Sequence, residues 1–213
     1  MNYEQVAEIV REEISDDYVP NACILAARVT TLALREFGVQ TEAMAAMLDA
    51  FSPAYMRMRD YAEQLGRELT DEEVGRFAAQ GAWHVEVNSE PARPGVLDRR
   101  DASGYHGHVV ALADDRRWLL DPTLGQVNRP HKGLVVEPPF AYRLAPDDWE
   151  DRMIVVEAQG GAVVTYRLIA GRKDFSKAPD WRAPGPRKPV MERVLGRVIE
   201  RIAEEARDVV HHR

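Results

Sequence analysis

The sequence predicts an α+β fold: an antiparallel sheet packed against one buried helix that carries the single cysteine, with an extra helix at the C-terminal end. Three observations carry this. The stretch 22–37, ACILAARVTTLALREF, is apolar on nearly every side through Leu34, and a helix that is apolar all round is a buried one. Two pairs of short apolar runs, 108–112 with 118–120 and 153–157 with 162–169, are split by ADDRR and by Gly160-Gly161, which are hairpin signatures. Met191, Val194, Leu195, Val198, Ile199, Ile202, Ala203 and Ala206 form one stripe at helical spacing over 190–210.

The remaining elements follow in order. Val6, Ile9, Val10 and Ile14 make 3–15 a short amphipathic helix, and Pro20 breaks the chain after it. Asn21 is a helix-capping residue type, which puts Cys23 in the first turn of the buried helix, and Gly38 supplies the left-handed residue wanted past its end. The stretch 39–48 reads as a strand with Val39, Thr41 and Ala43 on one face, although its Ala and Met content also suits a helix. A helix is expected over 53–66. Thr70 and Glu73 form a capping box that opens another, ending near Gly81. The alternation over 83–87 reads as a strand and the polar stretch 88–104 as a loop, while 123–150 alternates loops and short strands. Four prolines and six Lys/Arg over 171–189 read as an extended linker. The domain plan is therefore 1–170 as a globular unit, 171–189 as a basic Pro-rich linker and 190–213 as the amphipathic helix.

Composition narrows the function. The chain has 213 residues, 45% hydrophobic and 30% charged, with formal net charge −7. A domain of this size buries a sizeable core unaided. Its acidic balance argues against general nucleic-acid binding, which needs a basic footprint. One cysteine rules out an intrachain disulfide and suits a reducing compartment. The charged first residues lack the apolar core of a signal peptide, and no run reaches the roughly 18 apolar residues of a membrane span, so a cytoplasmic location is expected.

The chemistry centres on Cys23. A thiol attacks as the thiolate, and a helix start or a neighbouring imidazolium favours that anion; the same unpaired N–H groups can hold an oxyanion. In the first hairpin, a two-residue turn at Asp114-Asp115 pairs 113 with 116 and, counting outward, places His108 directly opposite Asp121. Side chains so placed are in contact. A carboxylate there fixes the imidazole tautomer and leaves the other ring nitrogen free as a base. A one-residue slip would send the two to opposite faces.

The helix motif NACILAARVTTLALREFGV and the segment GHVVALADDRRWLLDPT resemble the transglutaminase-like, papain-related superfamily. Its pattern is a Cys leading a small-residue-rich helix that ends in Gly-Val or Gly-Ile, then a His strand and a closing strand W-x-x-D-P-T. The resemblance covers 18–48 and 104–126. It implies an antiparallel sheet packed on the Cys helix, with Cys23 as nucleophile, His108 as base and Asp121 as orienter. Arylamine N-acetyltransferases and the leader-peptide proteases of lasso-peptide systems share this core. The chain departs from the pattern at Ile24, at Val110 and in the helical stretch 53–81.

The expected activity is cysteine-dependent acyl transfer without a cofactor. An amide- or acyl-bearing substrate, a peptide or protein among the candidates, would be hydrolysed, or its acyl group transferred, through a thioester on Cys23. Asn21 and Gln126 are candidate oxyanion donors, Asn21 serving equally as a plain helix cap. His106, two residues before His108, is an alternative base. His106 and His108 with Asp121, completed by His131 or His84, are an alternative metal site. The competing class is a non-catalytic interaction protein that dimerises or binds a partner through the C-terminal helix; its mixed Arg/Glu face argues against a membrane surface.

Overall fold

The computed structural model describes residues 1–17, 22–87, 105, 107–145, 153–158 and 160–211. Six helices and seven strands are present among them, and the strands form one wholly antiparallel sheet. The chain runs through α1 (Tyr3–Asp17), α2 (Cys23–Glu36), β1 (Thr41–Phe51), α3 (Pro53–Leu65), α4 (Asp71–Ala79), β2 (His84–Val87), β3 (His108–Ala113), β4 (Trp118–Leu120), β5 (Ala141–Arg143), β6 (Met153–Glu157), β7 (Val163–Ile169), α5 (Pro179–Arg182) and α6 (Arg187–His211).

The strand order is β5-β4-β3-β1-β7-β6, with β2 added beside β1. The eleven-residue β1 is the spine: residues 41–46 pair with β3 and 48–51 with β2 along one edge, while 45–51 pair with β7 along the other. Its Ala- and Met-rich sequence would accept a helix, and pairing on both edges decides for strand. No helix among the described residues is long and apolar enough to cross a membrane.

The buried helix forms as expected. From Cys23 to Leu34 only Arg28 and Leu32 escape full burial, because α2 packs against β1, β3, α1, α5 and α6 at once. It ends where Gly38 takes φ +75°, with Gly38 N–H donating to Arg35 O and Val39 N–H to Leu34 O, the paired bonds of a Schellman stop. At its start the cap is Ala22, without a side-chain bond, and Cys23 is the first helical residue; Asn21 lies outside the described residues. The capping box on α4 is complete: Glu73 N–H donates to Thr70 Oγ1 and Thr70 N–H to Glu73 Oε2.

Two expectations are corrected. The first hairpin turns through four residues, not two. Asp114, Asp115 and Arg116 all have positive φ (52–65°), and Ala113 pairs with Trp118. The register is thus shifted by two residues, which keeps every side chain on its expected face but makes His108 and Asp121 diagonal rather than direct neighbours. Secondly, 171–189 is not an extended linker. It holds a 3-10 turn (Asp174–Lys177), α5 and the start of α6, with Phe175, Ala178 and Ala183 buried. Past it, α6 lies along α1 and α2. The stripe residues Met191, Val194, Val198 and Ile202 are buried there, Leu195, Ile199 and Ala203 are half-buried and Ala206 is exposed, so part of the stripe is used within the chain.

Candidate active site

Sheet alternation places the site residues. Ala46 pairs with both His108 and Leu168, and Leu48 with Tyr166; Leu112 pairs with Leu119. Side chains two apart share a face, so His108, Tyr166 and Asp121, two residues past Leu119, all project from one side of the sheet. Asp121 is held at the end of β4 by its N–H donating to Phe140 O at 2.8 Å.

His108 and Asp121 are both completely buried. The His108 Nε2 lies 2.7 Å from Asp121 Oδ2. The same carboxylate oxygen accepts from Tyr166 Oη at 3.0 Å, and Oδ1 accepts from Thr123 N–H at 3.3 Å and Thr123 Oγ1 at 3.1 Å. A carboxylate with no access to water needs such a set of donors to offset its lost hydration. Burial by itself pulls the proton affinity of His108 down. The Asp121 charge and hydrogen bond outweigh it, the Cys23 sulfur adds to them, and the imidazole is pushed up to about 10. Tyr166 is driven further above the usual phenol range by burial and by the Asp121 charge, so it stays a donor.

Cys23 is 7% exposed. Its sulfur lies against His108, to whose proton affinity it contributes by charge and hydrogen bond, and 4.0 Å from the Gly107 carbonyl oxygen. The nitrogen on His108 that Asp121 does not hold is Nδ1, and Gln126 Nε2 sits 2.9 Å from it. Around the sulfur, Ile24, Ala27, Ala45, Tyr105, Val109, Phe175 and Ala178 form a separate small apolar cluster. Tyr105 Oη donates to the His108 carbonyl at 2.9 Å, and its ring meets Phe175 edge-on at 6.0 Å. The segment expected as linker is thus a strap over the thiol. A cleft of about 550 Å³ is lined by Ile14, Ala22, Thr123, Gln126, Val136 and Phe140, among others. It reaches the residue before the thiol and the side chain on Nδ1.

The three residues expected to converge do so. Gln126 joins them, at the imidazole. His84 does not: it bonds Asp49 Oδ1 at 3.0 Å and stacks on Phe51. His131 is exposed on a 3-10 turn. His106 and Asn21 lie outside the described residues. Among the described residues no three His, Cys, Asp or Glu side chains are grouped to hold a metal ion. Sequence reasoning missed Tyr166, Tyr105, Phe175 and the part played by Thr123. Tyr166 had a signal: in the alternating row Val164, Tyr166, Leu168 it points inward, and a buried tyrosine hydroxyl needs a partner. Comparisons with protein-family models, with curated proteins and with solved structures return no match for this chain.

Proposed function

We propose that the protein is a cysteine-dependent acyl-transfer enzyme acting on an amide, with hydrolysis as the overall reaction and a transglutaminase-like relationship behind it. The observation that carries this reading is the position of His108. One ring nitrogen is fixed by a buried, fully bonded carboxylate, and the only thiol, at the first residue of a helix, interacts with the same ring.

The Cys23 thiol gives its proton to His108 Nδ1, and the imidazolium so formed is stabilised by Asp121 through Nε2–H. The sulfur attacks the substrate carbonyl, and the new oxyanion faces the unpaired N–H groups at the start of α2. As the C–N bond breaks, the imidazolium returns its proton to the departing amine, leaving a thioester. Water then attacks that thioester, giving its proton to His108, and Cys23 leaves as the thiolate. No step calls for a cofactor. An amine in place of the water makes the same intermediate a transferase's.

The test is alkylation of Cys23 across pH, in wild type and in His108→Ala, beside profiling with small acyl electrophiles against a Cys23→Ala control. An imidazole raised to about 10 holds through neutrality the proton it takes from Cys23, so the His108-dependent part of the rate is expected at pH 6–8 and fades as pH rises through about 10. Equal rates in the two proteins at pH 7, at the level of an ordinary thiol, would overturn the reading.

A further inference from the structure

We propose that Gln126 is a cap on the general base: it competes with the thiol for His108 Nδ1 and is drawn off when an amide substrate fills the adjoining cleft. This rests on the acyl-transfer reading.

The argument starts from connectivity. Asp121 and Gln126 lie five residues apart on one tight turn, D-P-T-L-G-Q, closed by Leu124 N–H to Asp121 O at 3.0 Å and Gln126 N–H to Thr123 O at 2.9 Å. Arg129 Nη1 donates to the Gln126 carbonyl at 2.8 Å and fixes the backbone there. The turn therefore approaches the same ring twice, with Asp121 on Nε2 and Gln126 on Nδ1. The first contact is wholly buried and suits a permanent orienter. The second differs: Gln126 is half-buried and forms part of the cleft wall.

The nitrogen that Gln126 occupies is the one the mechanism needs. A primary amide engages it in either protonation state, its N–H donating to a neutral Nδ1 and, after a half-turn of the amide, its Oε1 accepting from Nδ1–H. In both states the amide and the sulfur compete for the nitrogen that Asp121 does not hold. The same amide offers a donor and an acceptor side by side, the complement of a substrate amide. A substrate whose apolar part rests on Ile14, Val136 and Phe140 brings its own amide to Gln126 and frees Nδ1 for the proton that leaves Cys23.

The experiment compares two electrophiles on wild type, Gln126→Leu and Gln126→Met, each checked for folding by circular dichroism. Iodoacetamide is too small to fill the cleft: sulfur forms its bond to carbon, iodide leaves, and the thiol proton passes to Nδ1. A peptidyl fluoromethyl ketone with an apolar side chain fills it. Loss of the cap is expected to speed iodoacetamide about tenfold at pH 7, the worth of one hydrogen bond, and to speed the peptidyl probe far less. Gln126→Glu, whose carboxylate holds Nδ1–H against the thiolate, is expected to move the alkylation profile to higher pH, a shift that a merely structural role would not produce. An unchanged or slower iodoacetamide rate in both uncapped variants, or equal acceleration of the two probes, overturns the cap. Wild type reacting no faster than His108→Ala would instead sink the acyl-transfer reading itself, so the two failures are distinguishable.

Discussion

At the scale of single residues, two tyrosines near Asp121 make a controlled comparison. Tyr166 is completely buried and its hydroxyl bonds the carboxylate. Tyr142 lies on β5 with ring centroids 6.4 Å from Tyr166, and its hydroxyl is buried without a hydrogen-bond partner among the described residues. A hydrogen bond to a charged group contributes about 1.5–3 kcal/mol, whereas an unsatisfied buried hydroxyl costs about 1–3 kcal/mol. Tyr166→Phe should therefore lower the unfolding free energy by roughly 2 kcal/mol, and Tyr142→Phe should leave it unchanged or raise it by up to about 1 kcal/mol. Urea titration of the two variants beside wild type measures both. An equal loss in both would mean that the hydroxyls, not the carboxylate, set the energetics of this corner.

At the scale of elements, local chemistry decides some boundaries and tertiary packing the others. The α4 start is a local case. Thr70 and Glu73 bond each other's backbone, and Glu73 also takes both Arg67 guanidinium nitrogens, at 2.8 and 2.9 Å. The Arg67 bonds first, then the Thr70 N–H, hold Glu73 down at about 2. A carboxyl lowered in this way adds stability above its unfolded value of 4.5, and the gain is lost as pH falls toward 2. Thr70→Ala should cost about 1 kcal/mol at pH 7, and the cost should shrink on acidification, read by thermal melts at pH 7 and pH 3. This start was legible in the sequence because its capping bonds lie within four adjacent residues, Thr70 to Glu73, as was the end of α2 at Gly38. The first hairpin was legible in its strands but not its register. Loop length is set by backbone conformation, and nothing in A-D-D-R-R marks three successive residues as left-handed. The 171–189 strap was misread for a related reason. Its prolines and basic residues are those of a solvated tether, and only contact with Tyr105 and the Cys23 cluster turns Phe175 and Ala178 inward. In the site, Cys23, His108 and Asp121 were legible from residue type and strand position. Tyr166 was legible as an inward-facing residue but not as the partner of Asp121, which lies 45 residues away in sequence.

For the molecule as a whole, the decisive contact is between its first and last described helices. Glu13 on α1, nearly buried, pairs with Arg197 and Arg201 of α6, and Arg201 also reaches Glu12 at 2.7 Å. Beneath these pairs Val194 and Val198 are fully buried, and α2 is held by α1 and α6 together with the sheet. The helix that carries the thiol is thus stabilised by residues more than 160 positions further along the chain. Val198→Ala should cost about 2 kcal/mol in methyl burial and residual cavity. Because one core is shared, the loss should move two unfolding midpoints together, that of tryptophan fluorescence and that of Cys23 accessibility to a disulfide reagent. Separate midpoints would show α6 to be an independent appendage. The closure of α2 by α6 also has a consequence during synthesis. On a translating ribosome every residue of the thiol, imidazole and carboxylate emerges well before Val194 and Val198, yet the seat for the thiol helix stays open on one flank until they follow. Nascent chains stalled ahead of α6 would hold all three side chains without the packing that seats the helix of the first.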